Sequence, residues 1–312
     1  DDRAGLGIFE DGLLLGALVV DAVPPPPDER LLVVQLFVDR ADTVNERHTF
    51  LVNGRSWPHT ERLQATVGDS LHWRVINASV APHPMHLHGF YYRVDASGDG
   101  RADTLYRPDQ QRMAVTQFMR PGTTVALTWS PKRPGNWLYH CHFIAHIEHA
   151  QHMGAAHPEH QHNHALGGMA GLIVGIEVRP RPGDAAEVPP PPVRRLRLFA
   201  GERAGYFGDR PGYGFVLQEG EEPASDSIRI PGTPILLHQG EPVAITVVNR
   251  THAGITVHWH GIELTSVYDG VPGWSGNDNR VAPLIAPGDS FTVRLTPDRA
   301  GTFIYHTHAD EA

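Results

Sequence analysis

Residues 121–142 read PGTTVALTWSPKRPGNWLYHCH, and residues 287–308 read PGDSFTVRLTPDRAGTFIYHTH. At an offset of 166 they share every proline, glycine and tyrosine of the frame except Pro134, which faces Ala300, and both end in His-x-His. Upstream, GDSLHWRVIN (Gly68–Asn77) matches GEPVAITVVN (Gly240–Asn249) at an offset of 172. At that offset His86 falls on His258 and His88 on His260, and glycine follows each pair. The difference between the offsets is a loop deletion. The chain is an internal repeat of β-rich runs such as LLVVQLFV (Leu31–Val38), set between Gly, Pro and Asp turns. No long stretch keeps a helical period. The expected fold class is all-β, with tandem antiparallel Greek-key β-sandwiches.

Composition agrees and excludes several functions. The 312 residues suit two domains of ordinary size. There are 32 glycines and 27 prolines, about a fifth of the chain, as a turn-rich β protein requires. With 26 Lys and Arg against 35 Asp and Glu, the formal charge is −9. Nucleic acid is therefore not an expected partner, because such binding needs a basic face. The longest apolar run, near Leu13–Val20, falls short of the roughly 20 residues of a membrane span. Proline runs at Pro24–Pro27 and Pro189–Pro192 read as stiff linkers. The expected boundaries are 1–23, a closing strand of a preceding domain; 24–182, one sandwich; and 183–312, a second.

The chain has 21 histidines and a single cysteine, which rules out an intrachain disulfide framework and a cysteine-rich zinc site. Side chains at i and i+2 of a strand share a face, so each His-x-His can present two imidazoles to one metal cluster. Four pairs supply His86, His88, His140, His142, His258, His260, His306 and His308. Equal contributions from two related domains predict a pseudo-twofold site at their interface. The repeat also breaks in an informative way. Cys141 faces Thr307, His83 faces Ile255, and His146 faces Ala312. The first copy thus owns an extra set, His83, Cys141 and His146, with a methionine nearby. Two imidazoles, a thiolate and a weak thioether make a blue-copper electron-transfer site.

With HPMHLHG (His83–Gly89), HCHFIAH (His140–His146), HWHG (His258–Gly261) and HTH (His306–His308), the sequence resembles the multicopper oxidase family, built from cupredoxin domains. That resemblance implies four copper ions. His83, Cys141 and His146 correspond to the type 1 ligands, which take electrons from substrate. His86 and His258 correspond to the type 2 ligands; His88, His140, His142, His260, His306 and His308 correspond to those of the type 3 pair. Asp269, in DGVPG, resembles the acidic residue that helps supply protons during oxygen reduction; the same Asp-Gly also reads as the start of a tight turn.

Three departures stand out. The HCH domain precedes the HTH domain, as in some three-domain bacterial relatives with the type 1 copper in the middle domain. The axial methionine is displaced: Met169, in GGMAGLIVGI (Gly167–Ile176), leads into a closing strand and is favoured over Met153. Ala145 stands where many relatives carry an acid. The stretch His149–His164 reads as a polar insertion or as a copper-collecting loop. DASGDGRAD (Asp95–Asp103) reads as a hairpin turn, since Tyr106 occupies the twelfth position where a calcium loop has glutamate. GLLLGALVV (Gly12–Val20) reads as a closing strand with no domain before it. The expectation is a piece of a longer oxidase, with flanking cupredoxin segments supplied by the rest of the chain or another subunit; a circular permutation is the other reading.

The resemblance implies a laccase-like oxidase whose partners are dioxygen and a small reducing substrate, a phenol or an aromatic amine. Residues expected to carry the reaction are Cys141, His140, His142 and Asp269. Cuprous-ion oxidation is the alternative within that chemistry; a copper nitrite reductase and a non-catalytic copper-binding protein lie outside it. The family also suggests a periplasmic or secreted location.

Overall fold

The computed structural model describes residues 14–21, 24, 26, 28–39, 47–147, 168–184, 189–277 and 279–308. The chain divides into two compact units, Asp1–Pro182 and Gly183–Ala312. Among the described residues the only helices are two short 3-10 turns, Ile144–His146 and Ser266–Tyr268. No described helix is long and apolar enough to cross a membrane.

The first unit holds β1 (Arg30–Asp39), β2 (Arg47–Val52), β3 (Arg62–Thr66), β4 (Leu71–Asn77), β5 (His83–Leu87) and β6 (Tyr92–Gly98). There follow β7 (Asp103–Leu105), β8 (Arg112–Ala114), β9 (Thr116–Met119), β10 (Thr124–Trp129), β11 (Gly135–Cys141) and β12 (Ile173–Arg179). One sheet runs β2-β1-β4-β10-β6-β7, with β8 also on β6. The other joins β5, β11, β12 and β3, with β9 on β5. Alternation decides which side faces in: Trp73 and Val75 of β4, and Val125, Leu127 and Trp129 of β10, are buried while the residues between them are not. In β12 only Glu177 and Arg179 escape burial.

Not every pair is antiparallel. The β1–β4 and β3–β12 pairs are parallel, as is one pair in the second unit. Between β1 and β4 the chain passes through β3 in the opposite sheet, and a strand that returns from such a crossover can pair in the same direction. The Asp95–Asp103 stretch forms the expected hairpin: β6 and β7 pair antiparallel, and Asp99 Oδ1 accepts the Arg101 N–H at 3.0 Å. Residues 14–20 carry no strand, and Leu14, Leu18 and Val20 are exposed. An extended segment becomes a strand only where another edge meets its N–H and C=O groups.

The second unit repeats the plan with β13 (Arg194–Phe207), β14 (Arg210–Leu217), β15 (Val243–Asn249) and β16 (His258–His260). Its later strands are β17 (Gly276–Asn277), β18 (Arg280–Val281), β19 (Ser290–Leu295) and β20 (Ile304–His306). One sheet is ordered β14-β13-β15-β19, and β16 pairs with β20. Leu198, Ile245, Val247, Val257, Trp259 and Leu295 form the centre of its core.

Each unit ties down the loop before its histidine strand with one buried asparagine. Asn77 Nδ2 donates to Ala81 O at 2.9 Å, and Asn77 Oδ1 accepts the Ser79 N–H at 3.0 Å. Asn249 does the same with Ala253 O at 2.7 Å and the Thr251 N–H at 2.9 Å. Both asparagines are fully buried, so each of these bonds replaces water that the amide has lost.

β12 closes the first sandwich, and its inward side chains carry that closure. Ile176→Ala is expected to destabilise the unit by about 2–5 kcal/mol, the cost of a cavity at a site with no exposure. Glu177→Ala, which removes a bond to Gln64 and a charge near Arg62 at the edge of the sheet, is expected to cost about 0–1 kcal/mol. Urea unfolding of the two variants against the parent checks both values.

Candidate metal centre

In the first unit His83, Cys141 and His146 come together from three places: the start of β5, the end of β11 and the 3-10 turn beyond it. Cys141 Sγ lies 3.5 Å from His83 Nδ1 and 3.4 Å from His146 Nδ1, and the two Nδ1 atoms are 3.1 Å apart. Three soft and borderline donors thus converge on one point, the donor set that suits copper. Burial and the neighbouring His146 push the His83 imidazole down to about 3. Burial likewise lowers His146, and it pushes the Cys141 thiol up to about 12 despite the Phe143 N–H aimed at the sulfur. The metal-free site is therefore a neutral pair of imidazoles with a protonated thiol, and a metal that binds the sulfur must displace a proton.

The segment carrying Met169 is stitched to this site. The Ala170 N–H donates to Ile147 O at 2.9 Å, and the Leu172 N–H donates to His146 O at 3.0 Å. Between them Gly171 adopts φ +73°, and a Cβ there would lie 2.1 Å from His146 O, so only glycine permits the approach. Met169 itself is buried. Met153 and the histidines of 149–164 lie outside the described residues.

The eight histidines of the His-x-His pairs form one set in each unit, built on the same register. His86 of β5 stands opposite His140 of β11, and His258 of β16 stands opposite His306 of β20. In the first unit the His86 ring lies 4.9 Å from His88 and 5.7 Å from both His140 and His142; His88 Nε2 is 2.9 Å from His140 Nε2. In the second, the His258 ring lies 5.8 Å from His260, 5.3 Å from His306 and 5.8 Å from His308. Gly89 explains the glycine after the first pair: at φ +70° a Cβ would sit 2.1 Å from the Trp137 ring.

Orientation repeats as well. His86 Nδ1 lies 2.8 Å from Val115 O, and His258 Nδ1 lies 2.7 Å from Asp269 O. His140 Nδ1 lies 2.7 Å from Cys141 O, and His306 Nδ1 lies 2.7 Å from Thr307 O. A carbonyl can only accept, so these four rings carry their proton on Nδ1 and offer Nε2 as the ligand atom. Asp269 thus acts through its backbone, while its buried carboxylate sits 3.4 Å from the same His258 nitrogen and accepts from Ser275 Oγ at 3.2 Å.

Family models of multicopper oxidase match residues 24–161 and 227–312, together well over half of the sequence. The chain belongs to the multicopper oxidase family. It is 39% identical over 83 residues to multicopper oxidase MCE of Talaromyces pinophilus, a match covering 26% of this chain and 13% of that protein. With L-ascorbate oxidase of Cucumis sativus the identity is 37% over 79 residues, covering 25% of this chain and 13% of the relative. These matches span only about an eighth of each relative's length. A crystal structure titled multicopper oxidase aligns with 99% of this multicopper oxidase chain and 91% of its own, at 19% identity and a TM-score of 0.32.

Four contributors escaped the sequence reading: Asn77, Ser79, Val115 and Phe50. The Phe50 ring lies 4.1 Å from that of His146 and 5.3 Å from that of His83. For Asn77 a signal existed, because the matched repeats end on Asn77 and Asn249, with Ser79 and Thr251 two residues on. Val115 acts through its carbonyl, which no side-chain pattern reveals. Since Cys141 is fully buried with a raised pKa, its thiol in the folded metal-free chain is expected to react with a thiol-specific disulfide reagent at least about tenfold more slowly than in denaturant. A stopped-flow comparison of the two rates checks this.

Proposed function

We propose that this multicopper oxidase is laccase-like, coupling one-electron oxidation of a phenol or an aromatic amine to four-electron reduction of dioxygen to water. The observation that carries the reading is the convergence of Cys141 Sγ, His83 Nδ1 and His146 Nδ1 within 3.5 Å of one another. His83, Cys141 and His146 would hold the type 1 copper, with Met169 as a further ligand. His86 and His258 would hold the type 2 copper, and His88, His140, His142, His260, His306 and His308 the type 3 pair. Bound copper supplies the one-electron chemistry at the thiolate and the reduction of dioxygen at the histidine cluster.

The chain's own part is positioning, exclusion of water and proton handling. Cys141 is joined through its backbone to His140 and His142, so the polypeptide is the shortest covalent link between the two ligand sets. His83 is fully buried, whereas His146 is half-buried and flanked by exposed Phe143 and Ile144. A reductant therefore meets the His146 edge, against an apolar surface that favours an aromatic molecule over a hydrated metal ion. Among the described methionines Met85, Met119 and Met169 are buried and only Met113 is exposed, so no described surface gathers the thioethers that suit Cu(I). Phe50 packs against both type 1 imidazoles, perpendicular to the His83 ring and tilted to that of His146. The buried Asp269 carboxylate, beside His258 Nδ1, is placed to hold a proton near the histidine cluster. Two imidazole pairs in each unit support a coupled copper pair, which a nitrite reductase does not need. A periplasmic or secreted location accompanies this reading.

Copper-loaded protein is expected to show an intense thiolate-to-copper band with about four coppers per chain, and to consume dioxygen when given a phenol. Cys141→Ser is expected to abolish the band and lower the oxidation rate by at least about a thousandfold, since the donor that defines the site is gone. Absorption, EPR and copper content on one sample, with an oxygen electrode, test the reading. A folded, copper-bound protein without the band would overturn it.

A further inference from the structure

His83 differs from the other oriented imidazoles. His86, His140, His258 and His306 present Nδ1 to a carbonyl, whereas His83 points Nδ1 at Cys141 Sγ and turns Nε2 to a hydroxyl, Ser79 Oγ, at 2.7 Å. A hydroxyl can donate or accept, so this contact alone leaves the ring proton unassigned. Ser79's other partners assign it.

The amide of Asn77 fixes the direction of the chain. Asn77 Nδ2 faces two carbonyls, Ala81 O at 2.9 Å and Met119 O at 3.3 Å, so it is the donor end. Asn77 Oδ1 accepts the Ser79 N–H at 3.0 Å, which rules out the flipped amide. Ser79 Oγ lies 2.9 Å from that Oδ1 and 3.2 Å from Ala81 O, and both atoms can only accept. The Ala81 N–H donates to Oγ at 3.3 Å, and a hydroxyl hydrogen turned to His83 would leave Oγ facing both oxygens with no hydrogen between them, so that hydrogen goes to an oxygen. Toward His83 the hydroxyl has only a lone pair to offer, so Nε2 must bring the hydrogen.

We infer that Ser79 is a positioning residue for the thiolate site: it holds the Nε2 proton of His83 and thereby keeps Nδ1 bare and aimed at Cys141 Sγ. This rests on the reading of His83 as a copper ligand. The second unit supplies the internal comparison. Thr251 makes the same brace, its Oγ1 lying 2.8 Å from Asn249 Oδ1 and 2.9 Å from Ala253 O, but the position matching His83 is Ile255. The Asn-x-Ser/Thr turn therefore forms with no imidazole to orient. What Ser79 adds is the bond to the ring. Thr251 also shows that threonine fits this turn, so Ser79→Thr preserves the acceptor.

Two measurements test the assignment. In the metal-free chain labelled with ¹⁵N-histidine, His83 is expected to show a protonated Nε2 and a bare Nδ1; Nδ1 protonation of His83 would overturn the inference. In copper-loaded protein, Ser79→Ala is expected to weaken Cu(II) retention by about ten- to a hundredfold, read from the thiolate-to-copper band against a competing chelator. Ser79→Thr restores retention, and Thr251→Ala, which removes the same brace from the second unit, leaves the band unchanged. Retention by Ser79→Ala equal to the parent, or equal loss in Thr251→Ala, would show a purely structural turn. The nitrogen shifts are read without copper, so they decide on Ser79 even where the blue band is missing.

Discussion

A neutral imidazole has one proton and two nitrogens, and it can offer a lone pair to a metal from one nitrogen only when the other has a place to put the proton. In this protein that place is supplied in every oriented case by an atom that can only accept or has been forced to accept. Backbone carbonyls do it for His86, His140, His258 and His306. A hydroxyl whose own hydrogen is spent does it for His83. Rings fixed in this way lose little freedom when a metal arrives, because folding has already restricted them.

The rings themselves stand where they do because of strand register. Pairing of β5 with β11 sets His86 opposite His140, and pairing of β16 with β20 sets His258 opposite His306. A slip of one residue would turn each imidazole to the other face of its sheet. The register is held from behind by large buried side chains. Trp73 packs edge-on against both Trp129 and Tyr139, each at 5.1 Å, and Phe90 lies between Trp129 and Trp137. On β11 the core residues Trp137 and Tyr139 alternate with His140, so one strand serves both the aromatic core and the histidine face.

Duplication also explains how one framework carries two kinds of site. Both units keep the asparagine brace, the His-x-His register and the carbonyl partners, and only the first adds His83, Cys141 and His146. Three side chains and a glycine that lets the Met169 segment approach distinguish a thiolate site from its plain counterpart. The cost is a buried, protonated thiol and a buried imidazole held far from charge in the metal-free chain. Metal binding recovers that cost, which couples the site's stability to its occupant.

Much of this was legible in the sequence. The repeat, the all-β class, the eight paired histidines and the extra His83, Cys141 and His146 follow from spacing, because period-two strands and Gly or Pro turns impose their pattern locally. The parallel pairing of β1 with β4 was not legible, since it depends on where the chain crosses between sheets. Nor was the role of Ser79, the use of Asp269 through its carbonyl, or the packing of Phe50 against both imidazoles. Residue types along the chain determined which donors exist and which share a strand face. Which ring nitrogen His86 and His258 offer was decided only by tertiary structure, because their protons rest on the carbonyls of Val115 and Asp269, which only folding brings to them.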